Sequence, residues 1–316
     1  MLAPDTAARY RGRVRALPFV LLASLLACEP RTRSSDRASP APPTPAPSSF
    51  ASRPYDVHVP PGLDRSRPAP LVVSLHGYGA PSGEAHARAF GFAAMADEHG
   101  FVLATPDGTV DSHGSRYWNA TDACCNFDHA GVDDVAYIAW LIDDAVSKLA
   151  IDRDRVFVLG HSNGGFLAHR LACDLAPRLA GAVSIAGAGW KDTSRCAPGE
   201  PVSILEIHGD ADVIIRMRGG RVFNLPVPEY PSTQETLAGW LAQDSCGVGA
   251  QPAPASIDFD DGVPGVETTR LSYRDCRAGV TVDLWTVVGG SHVPHPSRAG
   301  LTAIAAWMTA HPKHAR

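Results

Sequence analysis

The sequence predicts an α/β protein, a mainly parallel sheet with helices on both faces, and three observations lead there. Short apolar runs recur from about residue 54 onward. Most of them are continuous, as strands covered on both faces are, where a half-exposed strand alternates. Between the runs lie stretches whose apolar residues recur every three to four positions, the helical spacing. A chain of 316 residues that is 45% hydrophobic has enough apolar material to close a full core around such a sheet.

Taken in order, residues 1–27 read as a secretory signal. Arg9, Arg11, Arg13 and Arg15 form a positive start, and "ALPFVLLASLLA" is too short to span a bilayer as a mature helix. The stretch "LLAC" is similar to a lipobox, which makes Cys28 the lipidated first residue of the mature protein and the only expected link to a membrane. Losing four arginines and Asp5 with the signal moves the formal charge from −5 to −8. Residues 28–53, rich in Pro, Ser and Ala, cannot bury enough surface to offset their ordering entropy and read as a tether. Residues 54–316 are then the globular domain, exported and either lipid-anchored or secreted.

Within that domain "YDVHVP" is expected as an antiparallel edge strand. The buried strands follow at 71–75, 101–106, 155–160, 180–187, 202–209 and 280–290. Val135, Ile138, Ile142, Ala145 and Leu149 mark one helix, and Leu301, Ile304, Ala305 and Met308 mark the last. Strands alternating with helices imply parallel pairing through crossovers. Besides Cys28 there are six cysteines, Cys124, Cys125, Cys173, Cys196, Cys246 and Cys276, which suits up to three disulfides in an exported chain. Fifteen pairings are open, and the adjacent Cys124 and Cys125 are expected to reach separate partners. No cysteine or histidine spacing suggests a zinc site, and a net acidic chain lacks the basic field that nucleic acid demands.

Reactive groups in open parallel sheets gather at the carboxyl ends of strands, and three strand ends here carry them. "GHSNGG" places Ser162 between an apolar run and a helical pattern. Gly160 and Gly164 allow a turn tight enough to project the hydroxyl. A serine needs a base, and the base an orienting carboxylate. "HGDADVI" offers Asp210 and Asp212, of which Asp212 sits further into the loop; "GGSHVPH" offers His292 and His295, of which His292 directly follows the strand. The chain order Ser, Asp, His is that of α/β-hydrolases. The backbone N–H groups of Tyr78, in "LHGYG", and Asn163 are the expected oxyanion hole. His76 is read as bracing the Tyr78 loop.

The motifs "LHGYG", "YWNATDACC", "GVDDVAYI", "IDRDRVFVLGHSNGGFLAHRLAC", "VSIAGAG", "EIHGDADVII" and "GGSH" together resemble secreted esterases of the polyhydroxybutyrate depolymerase and feruloyl esterase group. The resemblance spans roughly residues 54–310. It implies an α/β-hydrolase fold and a cofactor-free esterase acting on an ester substrate, with Ser162 as nucleophile, Asp212 as acid and His292 as base. The family's glycine before the histidine and Trp-Pro pair after it are replaced by Ser291 and "VPHP", so a cleft aromatic is missing. Trp118, Trp190 and Tyr78 are the candidates to replace it, with His76 as a further residue near the cleft. A peptidase on the same fold and a non-catalytic binding lipoprotein are the alternatives.

Overall fold

The computed structural model describes residues 50, 53–247, 249–252 and 256–313, all within the compact unit Pro42–Arg316. The signal sequence, Cys28 and residues 29–49 of the tether lie outside the described residues. The folded unit begins earlier than residue 54. Phe50 packs on Tyr137 and Trp140, with ring centroids at 5.5 and 6.0 Å, and Arg53 pairs with the buried Asp134 at 2.7 Å. Phe50 is the one aromatic residue in an otherwise small and polar stretch, so it has apolar area to gain from the core.

The elements run β1 (Tyr55–His58), β2 (Ala69–Leu75), α1 (Gly83–Ala89), α2 (Phe92–His99), β3 (Val102–Pro106), β4 (Thr109–Val110), β5 (Arg116–Tyr117), α3 (Asp134–Lys148), β6 (Ile151–His161), α4 (Asn163–Asp174), β7 (Gly181–Ile185), β8 (Ser203–Gly209), α5 (Thr233–Gln243), β9 (Gln251–Pro252), β10 (Thr268–Tyr273), β11 (Val282–Val287) and α6 (Arg298–Ala310). Among the described residues one sheet has the order β1-β3-β2-β6-β7-β8-β11-β10-β9, and β4 and β5 form a separate hairpin. From β3 through β11 every pairing is parallel. β1 closes one edge antiparallel, as "YDVHVP" suggests, and β10 and β9 extend the other edge antiparallel. This is the α/β-hydrolase fold.

The continuous apolar runs are explained by two cores. Leu71, Val73, Leu75, Val158 and Ile204 face one way, onto α3, α4 and α5. Val72, Leu103, Leu159, Leu205 and Ile207 face the other, onto α1, α2 and α6. The side-chain period of two in a strand puts successive residues into opposite cores, so both must be apolar. α5 opens on a capping box: the Ser232 hydroxyl takes the Glu235 N–H while the Glu235 carboxylate takes the Ser232 N–H.

All six cysteines of the domain are paired, as Cys124–Cys125, Cys173–Cys196 and Cys246–Cys276. The first pair corrects the expectation of separate partners. The peptide between Cys124 and Cys125 is cis, which sets their Cα atoms 3.1 Å apart and both sulfurs on one side of the chain.

Candidate active site

Three carboxyl-end loops, after β6, β8 and β11, converge on Ser162. The turn after β6 is closed to larger residues. A Cβ on Gly160 would stand 2.0 Å from the Gly164 carbonyl oxygen, and one on Gly164 would stand 2.1 Å from that of Leu75. With glycine at both places, the helix start folds back against the strand, and Ser162 takes φ 54° and ψ −120°, a conformation that costs an L residue free energy. The hydroxyl is thereby held clear of both strand and helix. Its own N–H is anchored on the Ile185 carbonyl at 2.8 Å.

Ser162 donates to His292 Nε2 at 2.9 Å, and His292 Nδ1 donates to Asp212 Oδ2 at 2.7 Å. The other carboxylate oxygen, Oδ1, accepts the N–H groups of Ile214 and Ile215 at 2.8 and 2.9 Å, so the acid closes its own loop. Of the two aspartates in "HGDADVI", Asp210 turns away and accepts the Gly289 N–H at 2.7 Å. Of the two histidines, His295 is largely exposed and lies 3.9 Å from Asp260.

Asn163 opens α4, so its N–H has no acceptor within the helix. Its side chain is held by both backbone groups of Trp118, at 2.7 and 3.0 Å. The loop carrying Tyr78 lies against the nucleophile, since a Cβ on Gly77 would come within 3.5 Å of the Ser162 Cβ. Behind that loop, His76 Nδ1 donates to the Gly77 carbonyl and Nε2 accepts the Gly108 N–H, each at 2.8 Å. Burial pushes His76 down to about 4, in keeping with this neutral bracing role.

Two residues expected to line the cleft do not. Trp118 and His76 are fully buried, with rings 4.8 Å apart and the Trp118 indole donating to the His76 carbonyl at 3.0 Å. An indole with its one polar atom satisfied inside the core gains nothing from facing water. Trp190 is half-buried under Arg195, whose guanidinium lies 3.7 Å from the ring centroid. On the loop against Ser162, Tyr78 stands beside Phe127 and Phe223, with ring centroids 5.5 and 6.3 Å away. Phe223 is half exposed, as is Val293 next to the base, and Val213 next to the acid is 71% exposed.

Further polar groups extend the site inward. His208 Nε2 lies 3.5 Å from Asp212 Oδ2 and donates to the Ile215 carbonyl at 2.6 Å. His208 Nδ1 is 2.9 Å from Glu206 Oε1. Glu206 Oε2 is 3.1 Å from His169 Nε2, and His169 Nδ1 accepts the Trp240 indole N–H at 3.0 Å. Burial opposes charge on His208, but its hydrogen bonds to Asp212 and Glu206 win, and its value is pushed up to about 10. Burial likewise works against the Asp212 carboxylate, and hydrogen bonds from His208 and His292 hold it well below the carboxylate range. Sequence reading passed over Glu206 and His169. The available signal was a charged residue in the middle of the otherwise apolar run "VSILEI", which a doubly covered strand tolerates only with buried partners.

On the other side, His161 Nε2 donates to the backbone carbonyl of His292 at 2.8 Å, and His161 Nδ1 lies 3.4 Å from His86 Nε2. Burial pushes His161 down to about 3 and His86 to about 2. His292 is therefore held twice, by its ring through Asp212 and by its main chain through His161. Among the described residues no group of three or more His, Cys, Asp or Glu could hold a metal ion.

The comparisons with known proteins agree with this architecture. NocK of Nocardia uniformis subsp. tsuyamanensis, provisionally named an esterase, is 30% identical over 76% of this chain and 70% of its own length. Feruloyl esterase B of Piromyces equi is 27% identical over 77% of this chain, which spans 43% of that longer protein. The fold is shared with an acetyl xylan esterase from Aspergillus awamori, with a TM-score of 0.56 at 18% identity, covering 81% of this chain and 93% of that one. Residues 53–216, which include Tyr78, Ser162, Asn163 and Asp212, match the family described as Esterase PHB depolymerase, and over that half of its length the chain belongs to it.

Proposed function

We propose that this chain is an exported serine esterase that cleaves carboxylic esters through an acyl-enzyme. The observation that carries the reading is the unbroken hydrogen-bonded line from the strained Ser162 through His292 to Asp212. Ser162 attacks the ester carbonyl as His292 takes its proton, Asp212 stabilises the imidazolium, and the Tyr78 and Asn163 amides receive the oxyanion. His292 then passes the proton to the leaving alcohol, and the same base activates the water that frees the acid. Each oxyanion donor contributes on the order of a hundredfold in rate or more.

The rim supports a narrower substrate class. Tyr78, Phe127 and Phe223 offer an apolar shelf beside the oxyanion loop, and Val213 and Val293 border the acid and base. Such a rim suits the ester of an aromatic or medium-length aliphatic acid, presented by a plant polysaccharide or a hydroxyalkanoate polyester. Three disulfides suit an oxidising compartment. A lipid on Cys28 and a tether of about twenty residues would hold the enzyme off a membrane surface and within reach of a polymer.

The test is hydrolysis, by the full chain and its Ser162→Ala variant, of nitrophenyl esters, methyl ferulate, acetylated xylan, hydroxybutyrate oligomers and a peptide amide. Turnover of an ester class that falls by a factor on the order of 10⁴ or more in the variant is the expected result. Cleavage of the amide alone, or of nothing by a folded and disulfide-intact protein, contradicts the reading.

A further inference from the structure

The acyl-transfer reading leaves the groups beyond Asp212 without a task. Glu206, His208 and His169 are each no more than 2% exposed. Glu206 and His208 project from the same face of β8, into the core below the acid loop.

The two ends of this line of groups fix where its protons lie. An indole N–H can only donate, so His169 Nδ1 accepts from Trp240 and the ring carries its proton on Nε2, donated to Glu206 Oε2. A carbonyl can only accept, so His208 Nε2 is protonated toward Ile215. Between the ends, Glu206 Oε1 and His208 Nδ1 share one proton across 2.9 Å. With that proton on nitrogen, His208 is an imidazolium between two carboxylates, Glu206 and Asp212.

We infer that Glu206 and His208 form a buried ion pair that positions and electrically tempers Asp212, making His208 a positioning residue for the proton transfer at His292. The inference rests on Ser162, His292 and Asp212 acting as a triad. Through the Ile215 carbonyl, His208 ties down the far end of the turn whose N–H groups bind Asp212. Its positive charge, 3.5 Å from Asp212 Oδ2, offsets part of the attraction that the carboxylate exerts on an imidazolium at His292. Residue 208's own raised value agrees with the double donation. The other groups that face this cluster are Thr233 from α5, at 3.4 Å from His208 Nδ1, the neutral His161 from the end of β6, and Tyr230, whose hydroxyl accepts the Arg216 N–H and donates to the Ile214 carbonyl.

The experiment follows the rate of Ser162 phosphorylation by diisopropyl fluorophosphate, in which the serine oxygen displaces fluoride, from about pH 5 to about pH 9, a range that covers histidine titration. This probe needs the nucleophile and its base but no natural substrate. The full chain is compared with Glu206→Gln, Glu206→Asp and His208→Gln, and KM and kcat on an ester are measured alongside. Glu206→Gln and His208→Gln are expected to move the acid limb of the profile up by on the order of one pH unit, lowering kcat at neutral pH with little change in KM. Glu206→Asp, which keeps the charge, is expected to restore the limb of the unsubstituted chain. Superimposable profiles in the folded variants, or a limb moved down, overturn the inference.

A folded, unsubstituted chain that does not react with the fluorophosphate overturns the triad itself, and the inference with it. Nitrogen NMR of the histidine-labelled full chain gives a second readout that needs no variant to fold. His208 is expected to carry protons on both ring nitrogens at neutral pH while His76 and His161 carry one each; a neutral His208 ring contradicts the ion pair.

Discussion

Buried histidines lie on both sides of the Ser162–His292 pair, and those on one side are held in the opposite state to His208 on the other. On the β6 side, His76, His86 and His161 meet carbonyl oxygens, a backbone N–H and one another, and burial pushes them to about 4, 2 and 3. On the β8 side, His208 is buried to the same degree but meets two carboxylates, and its value rises to about 10. Desolvation opposes charge at every one of these rings. What sets His208 apart is that it faces two carboxylates, Glu206 and Asp212, which together return in attraction what burial removes, where His169 shares only one and His76, His86 and His161 meet none directly. The neutral side holds the main chain of His292, and the charged side holds Asp212.

Damage to the charged side is expected to strike chemistry hardest. Asp212→Asn should lower kcat by on the order of 10⁴, since the amide lets the imidazole take the wrong tautomer and offers the imidazolium no charge. Asp210→Asn removes only the acceptor for Gly289 and should cost a few-fold at most. Equal losses in the two variants would show that the carboxyl choice is mistaken.

On the neutral side, His161→Ala leaves the His292 carbonyl without its buried donor. A kcat loss of about tenfold and a destabilisation of about 2–4 kcal/mol are expected, read by steady-state kinetics and thermal unfolding. A larger loss of kcat than in Asp212→Asn would reverse the comparison.

A smaller effect is the dependence of stability on pH. Unfolded histidines bind protons below about pH 6.5, which folded His76, His86 and His161 refuse. As pH falls from about 6.5, the unfolded state therefore gains protons that the folded state lacks, and stability drops. Asp244, whose carboxyl burial pushes up to about 7, works against this, as does the carboxyl of Asp134, which burial also raises. His208 acts from the other direction: its contribution is complete below about 6.5 and is lost as pH rises through about 10. The melting temperature should be lower by several degrees at about pH 5 than at about pH 7, and should decline again above about pH 9; a flat profile would contradict the opposed states.

Phe223→Ala is expected to raise KM several-fold on aromatic esters while leaving kcat and the melting temperature unchanged, because Phe223 is half exposed and borders only the shelf. An unchanged KM would remove the shelf from the substrate site.

The parallel strands were legible because a doubly covered strand leaves a continuous apolar run, and the reactive loops because they follow strand ends. The antiparallel β10 was not, since "TTRLSY" opens on three polar residues and has only Leu271 and Tyr273 as large apolar ones, too little pattern to mark a strand at the sheet margin. Helices α1 and α2 are short and alanine-rich, with too few large residues for a stripe. Ser162, Asp212 and His292 stood out because each sits in a short motif at the end of its own strand, and the structure sets the three in one hydrogen-bonded line. Which of Trp118, Trp190 and Tyr78 faces the cleft could not be read, since an aromatic side chain looks the same in sequence whether it packs inward or lines a surface. The pairing of Cys124 with Cys125 was hidden because it depends on the isomer of one peptide bond.

The most direct test of acyl transfer is to quench the full chain in acid during turnover of a nitrophenyl ester and find the acyl group by peptide mass spectrometry. The account predicts one added acyl group on the peptide containing Ser162, absent from Ser162→Ala. Turnover with no adduct on any peptide, or with an adduct on another residue, would contradict it.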